Sequence, residues 1–204
     1  MITPIQDGLS PLIREDGTDR FVQVTRSIFL AHSGINADGR VLCNAAQRLA
    51  VEHEYTFDEE IPMNVFLEEM SLLMQRYTMK PGSRPFGSSL MVGFIQPSLQ
   101  NKNGHDQDDR QLFTIDPSGN VLCWDDGIAV IGEDEGILQE LETHKDATAE
   151  NVDEIIGTFT TALRKLRNTA KKEQTFRTKQ RNSLDLLVAY LDSQSGLIVM
   201  KCSR

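Results

Sequence analysis

Carboxylates are the first residues in this chain that could do chemistry. Asp58, Glu59 and Glu60 form one cluster, Asp125 and Asp126 a pair, and Glu133, Asp134 and Glu135 a third. General acid–base work needs such a group buried or held by a specific partner, and adjacent carboxylates on a turn are ordinarily solvated. They therefore read as surface charge. The histidines, His32, His53, His105 and His144, have no HExxH or HxH spacing that would gather a metal. They read as surface or hydrogen-bonded side chains, so no metal and no cofactor is expected. The sequence contains no GxSxG elbow, P-loop or GxGxxG fingerprint. One mechanism is left, a terminal Thr, Ser or Cys activated by its own α-amine. The chain starts Met1-Ile2-Thr3, and the bulky second residue disfavours removal of Met1, so no catalytic residue is expected.

The elements that would position any site follow from the remaining composition. A length of 204 residues suits one sizeable core, and 39% apolar with 25% charged residues suits a folded globular chain. A net charge of −9 argues against nucleic acid as a partner, because phosphate binding rests on Lys and Arg releasing counterions. No apolar run is long enough for a membrane span, and the first ten residues lack a signal peptide's basic and apolar regions. A soluble intracellular protein without a membrane partner is expected. Cys43, Cys123 and Cys202 are odd in number and widely spaced, which suits a reducing compartment.

Along the chain, residues 1–19 read as an irregular lead-in, with Pro4, Gly8, Pro11 and Gly17 scattered through it. One strand is expected from Phe21 through Ala31, stopping at Ser33-Gly34. A helix starting near Asn36 or Asp38 follows, its apolar face made of Val41, Leu42, Ala45, Ala46, Leu49 and Ala50 and its end reached by Tyr55. A second helix opens after Pro62, carries Phe66, Met70, Leu73, Met74 and Tyr77, and stops before Pro81-Gly82. Residues 88–95 make a strand, 96–110 a polar loop excursion, 111–115 a returning strand, Asp116-Pro117-Ser118-Gly119 a turn, and 120–124 the outgoing strand. A short strand is expected at 128–131, helices at 135–144 and from about 152 to 166, a basic loop at 167–182, and a closing hairpin from 184–191 and 196–200. Helices set between runs of strands indicate an α+β fold in one domain, 1–204. The basic residues between 164 and 181 read as a solvated helix end and loop.

At Ser33-Gly34-Ile35-Asn36-Ala37-Asp38-Gly39-Arg40-Val41-Leu42 the sequence resembles the alpha-type subunits of the 20S proteasome core, whose first long helix opens with a Ser-Gly-Leu-x-Ala-Asp-x-Arg-Val stretch. The correspondence continues in order through Gln75-Arg76-Tyr77-Thr78, Arg84-Pro85-Phe86-Gly87, Asp116-Pro117-Ser118-Gly119 and Ile131-Gly132. Ser10-Pro11-Leu12 and Thr25-Arg26 look most like the type-2 branch. The resemblance implies a four-layer αββα sandwich of the N-terminal nucleophile hydrolase type. About sixty family residues, holding the N-terminal helix, the gate segment and the first strands, have no counterpart here; an incomplete or mis-started gene model is expected ahead of a subunit that has lost its gate.

The resemblance also implies a function: a non-catalytic subunit of a threonine-protease complex, in ubiquitin-dependent protein degradation, located in cytoplasm and nucleus. Its partners would be other alpha subunits in a seven-membered ring, beta subunits and a regulatory activator particle. In the family, a pocket between alpha subunits receives the activator's C-terminal tail through a lysine and the Ser-Gly-Leu turn. Those positions correspond here to Arg20 and to Gly34 and Ile35, and Arg20 keeps the cation with a planar fork instead of a compact ammonium. Arg40 and Arg48 on the first helix would suit the beta-ring contact. Two other classes stay open: a catalytic beta-type or stand-alone N-terminal nucleophile hydrolase, and a regulatory or assembly protein with part of the fold.

Overall fold

Alternation organises the middle of the chain. In β3 (Ile28–Gly34) and β4 (Ser88–Ile95), Ile28, Leu30, Leu90 and Val92 point to one face and are fully or almost fully buried, the period-2 pattern of a sheet with a covered face. The computed structural model describes residues 2–4, 20–95, 110–125, 129–131, 157, 161, 185–192 and 196–203, and it describes the backbone alone for residues 2–4, 110, 185–192 and 196–203. Its contacts gather into two compact units. In the first, β2 (Phe21–Gln23), β3, β4, β5 (Arg110–Ile115) and β6 (Val121–Cys123) form an antiparallel sheet in chain order. Register is fixed by pairs such as Phe21↔Ala31, Leu30↔Val92 and Val92↔Phe113.

Two helices cover this sheet. In α1 (Asn36–Phe57) the line Leu42, Ala46 and Ala50 recurs every fourth residue and is buried with Cys43. Val41, expected on that face, stands about a hundred degrees round the helix from Leu42 and is 55% exposed. In α2 (Met63–Met79) Phe66, Met70 and Met74 are buried against the same core, which Ile115 of β5 completes. Burial of a Phe or Met side chain contributes about 1.5–3 kcal/mol, so this seam holds the helices to the sheet.

Local pattern failed where distant residues decide. The strand expected from Phe21 to Ala31 is a hairpin, because the chain reverses at 24–27 without Gly or Pro. The Val24 and Thr25 N–H groups donate to Ile28 O (3.0 and 3.1 Å). Thr25 Oγ1 accepts from Ser27 N and Ile28 N (3.2 and 2.9 Å), and Glu60, 33 residues away, accepts from Ser27 N and Oγ. The lead-in is not wholly irregular, since β1 (Ile2–Pro4) pairs antiparallel with β7 (Asp185–Asp192), a partner that no local reading supplies. Residues 129–131, expected in a strand, have no regular structure; among the described residues no ladder lies beyond β6 to pair them.

A separate three-stranded sheet has the order β1, β7, β8 (Gly196–Ser203). The closing hairpin is thus present, its first strand shifted one residue along (185–192 against 184–191) and its second three residues longer at the end (196–203 against 196–200). Of the long helix expected from about 152, Gly157 and Thr161 are described and helical. The helix at 135–144, the 96–109 part of the loop excursion and the basic loop at 167–182 lie outside the described residues.

Candidate docking and assembly site

The first turn of α1 has no side-chain cap: Ile35 occupies the N-cap position and offers none. The helix start is fixed instead by the loop at 84–88. The Arg84 fork meets the Asp38 carboxylate at two points, Nη1 to Oδ2 at 2.6 Å and Nη2 to Oδ1 at 2.8 Å. The Gly87 N–H adds a third bond to Oδ2 at 2.8 Å. The Arg84 bonds and the Gly87 N–H hold the Asp38 carboxyl down to about 2 from an ordinary 3.8, burial opposing them. Asp38 in turn raises the Arg84 guanidinium. Arg84 is exposed, and Nη1 also donates to Pro85 O at 2.9 Å.

Backbone bonds complete the clamp. Ile35 N–H donates to Gly87 O at 2.9 Å, while Ile35 O accepts from Ser88 Oγ at 2.7 Å and from Gly39 N at 3.0 Å. Gly34 has φ +115°, and a Cβ there would stand 2.3 Å from Gly87 O, so only glycine fits the turn. A Cβ on Gly87 would meet the Ile35 side chain at 2.5 Å. Gly39 lies against the buried His32 ring of β3, where a Cβ would come within 2.1 Å of Nδ1, so α1 starts tight on the sheet. Ile35 itself stays half-exposed.

Phe86 faces Tyr77 of α2, ring centroids 4.7 Å apart at 56°, a tilted contact that ties the 84–88 loop to the end of the second helix. At the β5–β6 turn, burial works against the Asp116 charge, yet bonds from the Ser118 hydroxyl and the Asn120, Ser118 and Gly119 N–H groups leave its pKa lowered. Pro117 takes the first corner, and Gly119 (φ +90°) accepts a hydrogen bond from Ser71 Oγ of α2 through its carbonyl. A Cβ on Gly119 would stand 2.6 Å from Ser71 O.

The structure therefore gathers Gly34, Ile35, Asp38, Tyr77, Arg84, Pro85, Phe86 and Gly87 into one assembly, with residues 116–119 separately against α2. Arg20 precedes the Phe21↔Ala31 pair and Gly34 ends β3, so both stand at the same end of the sheet. Arg40 is exposed on α1, and Gly132 lies outside the described residues. Sequence reading missed Gly39 with His32, Ser88, and Ser71 at the hairpin. It also took Glu60 for a solvated charge: burial disfavours its ionised form, but bonds from Thr25, Ser27 and Arg26 outweigh that and lower its pKa. Among the described residues no group of His, Cys, Asp and Glu could hold a metal, and no helix is long and apolar enough to cross a membrane.

A glycine-bearing turn feeding a long helix, locked to an Arg-Pro-Phe-Gly loop that meets the second helix through Phe86 and Tyr77, belongs to an α+β unit of one antiparallel sheet and two helices. The sequence model described as proteasome subunit matches residues 7–179, and the chain belongs to that family. It is similar to proteasome subunit alpha type-2 of Drosophila melanogaster, with 32% identity over 115 residues, 56% of this chain and 45% of the relative. Against alpha type-3 of Saccharomyces cerevisiae the identity is 33% over 116 residues, 56% of this chain and 42% of the relative. Alpha type-2-A of Arabidopsis thaliana gives 31% over 115 residues. The chain thus spans a little under half the length of the curated relatives it matches.

Proposed function

We propose that this chain serves as a non-catalytic alpha-ring subunit of the 20S proteasome core, contributing surfaces to ring assembly, beta-ring contact and activator docking. The observation that carries this reading is the clamp around Asp38. Motifs 46 residues apart in the chain, each resembling the alpha type, meet in one bonded assembly that leaves Ile35 and Arg40 facing solvent. The similar proteins are named alpha subunits, and the resemblance assigns the active threonines to the beta class. Neighbouring alpha subunits and beta subunits are the partners on this reading, and cytoplasm and nucleus its locations. Native mass spectrometry of the endogenous protein tests it: the chain is expected in a particle of many subunits together with beta subunits. A purely monomeric pool, or peptide cleavage by the purified chain alone, overturns it.

The docking surface in this reading is the turn at Gly34 and Ile35 with Arg20 at the same sheet end. Arg20 would supply the cation for a tail's terminal carboxylate, and the half-exposed Ile35 an apolar contact. Arg20→Ala in the assembled particle is expected to weaken activator binding while leaving ring assembly intact, as read by co-sedimentation.

A further inference from the structure

We infer that Asp38 is a positioning residue for the docking turn: acting through Arg84 and Gly87, it fixes where Gly34 and Ile35 stand and so sets the turn's affinity for a partner's C-terminal tail. This rests on the docking reading proposed above. Asp38 is nearly buried and offers a tail nothing directly. Its influence passes through one residue, Gly87. Gly87 N–H is held by Asp38, and Gly87 O receives the Ile35 N–H. The glycine-bearing turn lacks a cap of its own and would otherwise sample many conformations. Holding Gly87 by its N–H and its carbonyl therefore orders the turn before any partner arrives, and preorganisation lowers the cost of binding.

Arg84 could be read instead as a second cation for the tail, because it is exposed. Its two bonds to Asp38 engage both ends of the fork, an arrangement that suits guanidinium and that lysine cannot reproduce. Arg84→Lys therefore separates the roles. A direct cation survives the change; a positioning fork does not.

The test uses the assembled core particle containing this chain and a fluorescein-labelled peptide copied from the C-terminus of an activator subunit, with binding read by anisotropy. Asp38→Asn is expected to weaken binding about tenfold and Arg84→Lys several-fold, with ring assembly intact and faster hydrogen exchange at the Ile35 N–H. Parent-like affinity in both variants, with weakened binding in Arg20→Ala, overturns the positioning role and leaves the docking reading intact. Unchanged binding in both Arg20→Ala and Ile35→Ala overturns the docking reading, and the inference falls with it. If Asp38→Asn does not assemble, Arg84→Lys decides alone, and unaltered exchange at the Ile35 N–H in that variant overturns the inference.

Discussion

Asp38 ties the start of α1 to the 84–88 loop, and Glu60, just past its end, ties it to the 24–27 turn, and they do so by different chemistry. Asp38 at the helix start is matched by a cation, Arg84, and by one backbone N–H. Glu60, just past the helix end, is matched by neutral donors, the hydroxyls of Thr25 and Ser27 and the N–H groups of Ser27 and Arg26. Both carboxyls are held below their ordinary range. A charge-paired fastening should answer to salt, and a neutral-donor fastening should not. The lesson is that a carboxylate's sequence context, a turn cluster or a helix start, does not reveal which kind it makes.

The largest effect expected at either end comes from Gly34→Val, which forces a branched side chain into φ +115° against Gly87 O. A loss of about 3 kcal/mol in urea unfolding is expected, and a loss below about 1 kcal/mol would mean the Asp38 end is looser than its geometry. Asp38→Ala should cost about 1–3 kcal/mol, since the Gly87 N–H loses its acceptor. Glu60→Gln should cost less, about 0.5–1.5 kcal/mol, because an amide oxygen still accepts from Ser27. If Glu60→Gln proves the costlier, the ranking of the two fastenings is reversed.

Acid separates them further. A carboxyl whose folded pKa is depressed stabilises the fold above its unfolded value and loses that contribution as pH falls through the folded one. The Asp38 contribution is therefore expected intact above about pH 4 to 5 and lost as pH drops from 3.8 towards 2. The Glu60 contribution starts to fade just below 4.5. Melting curves of Asp38→Asn and Glu60→Gln across this range should each flatten its own part of the acid limb. The smallest effect is that of salt: raising sodium chloride to 1 M should narrow the gap between the parent and Asp38→Asn and leave the Glu60→Gln gap unchanged.

Much of this architecture was legible in the chain. The 88–95 strand matched residue for residue, and both helices came within about two residues of their ends, because their apolar spacing is strong and Gly34, Pro62 and Pro81 punctuate them. The hairpin at 24–27 was illegible, because its turn depends on a Thr25 hydroxyl and on Glu60 from beyond α1. The pairing of Asp38 with Arg84 was equally hidden. Opposite charges beside two glycine motifs hint at it, but only the fold brings positions 46 apart within 2.6 Å. Val41 was misplaced because the buried face spreads from Leu42 towards Ala46 and Cys43, and Val41 lies one step round the helix on the opposite side.

The contact between Ser71 and the β5–β6 tip has a bearing on how this lineage can vary. On the hairpin side the seam is made by a glycine's own main-chain atoms, so mutational drift at its exposed neighbours Ser118 and Asn120 passes without disturbing the helix above. Variation is shielded at the tip and concentrated in a single irreplaceable letter, Gly119, and a saturation library of residues 117–120 should tolerate its outer members and reject nearly every change at that one position.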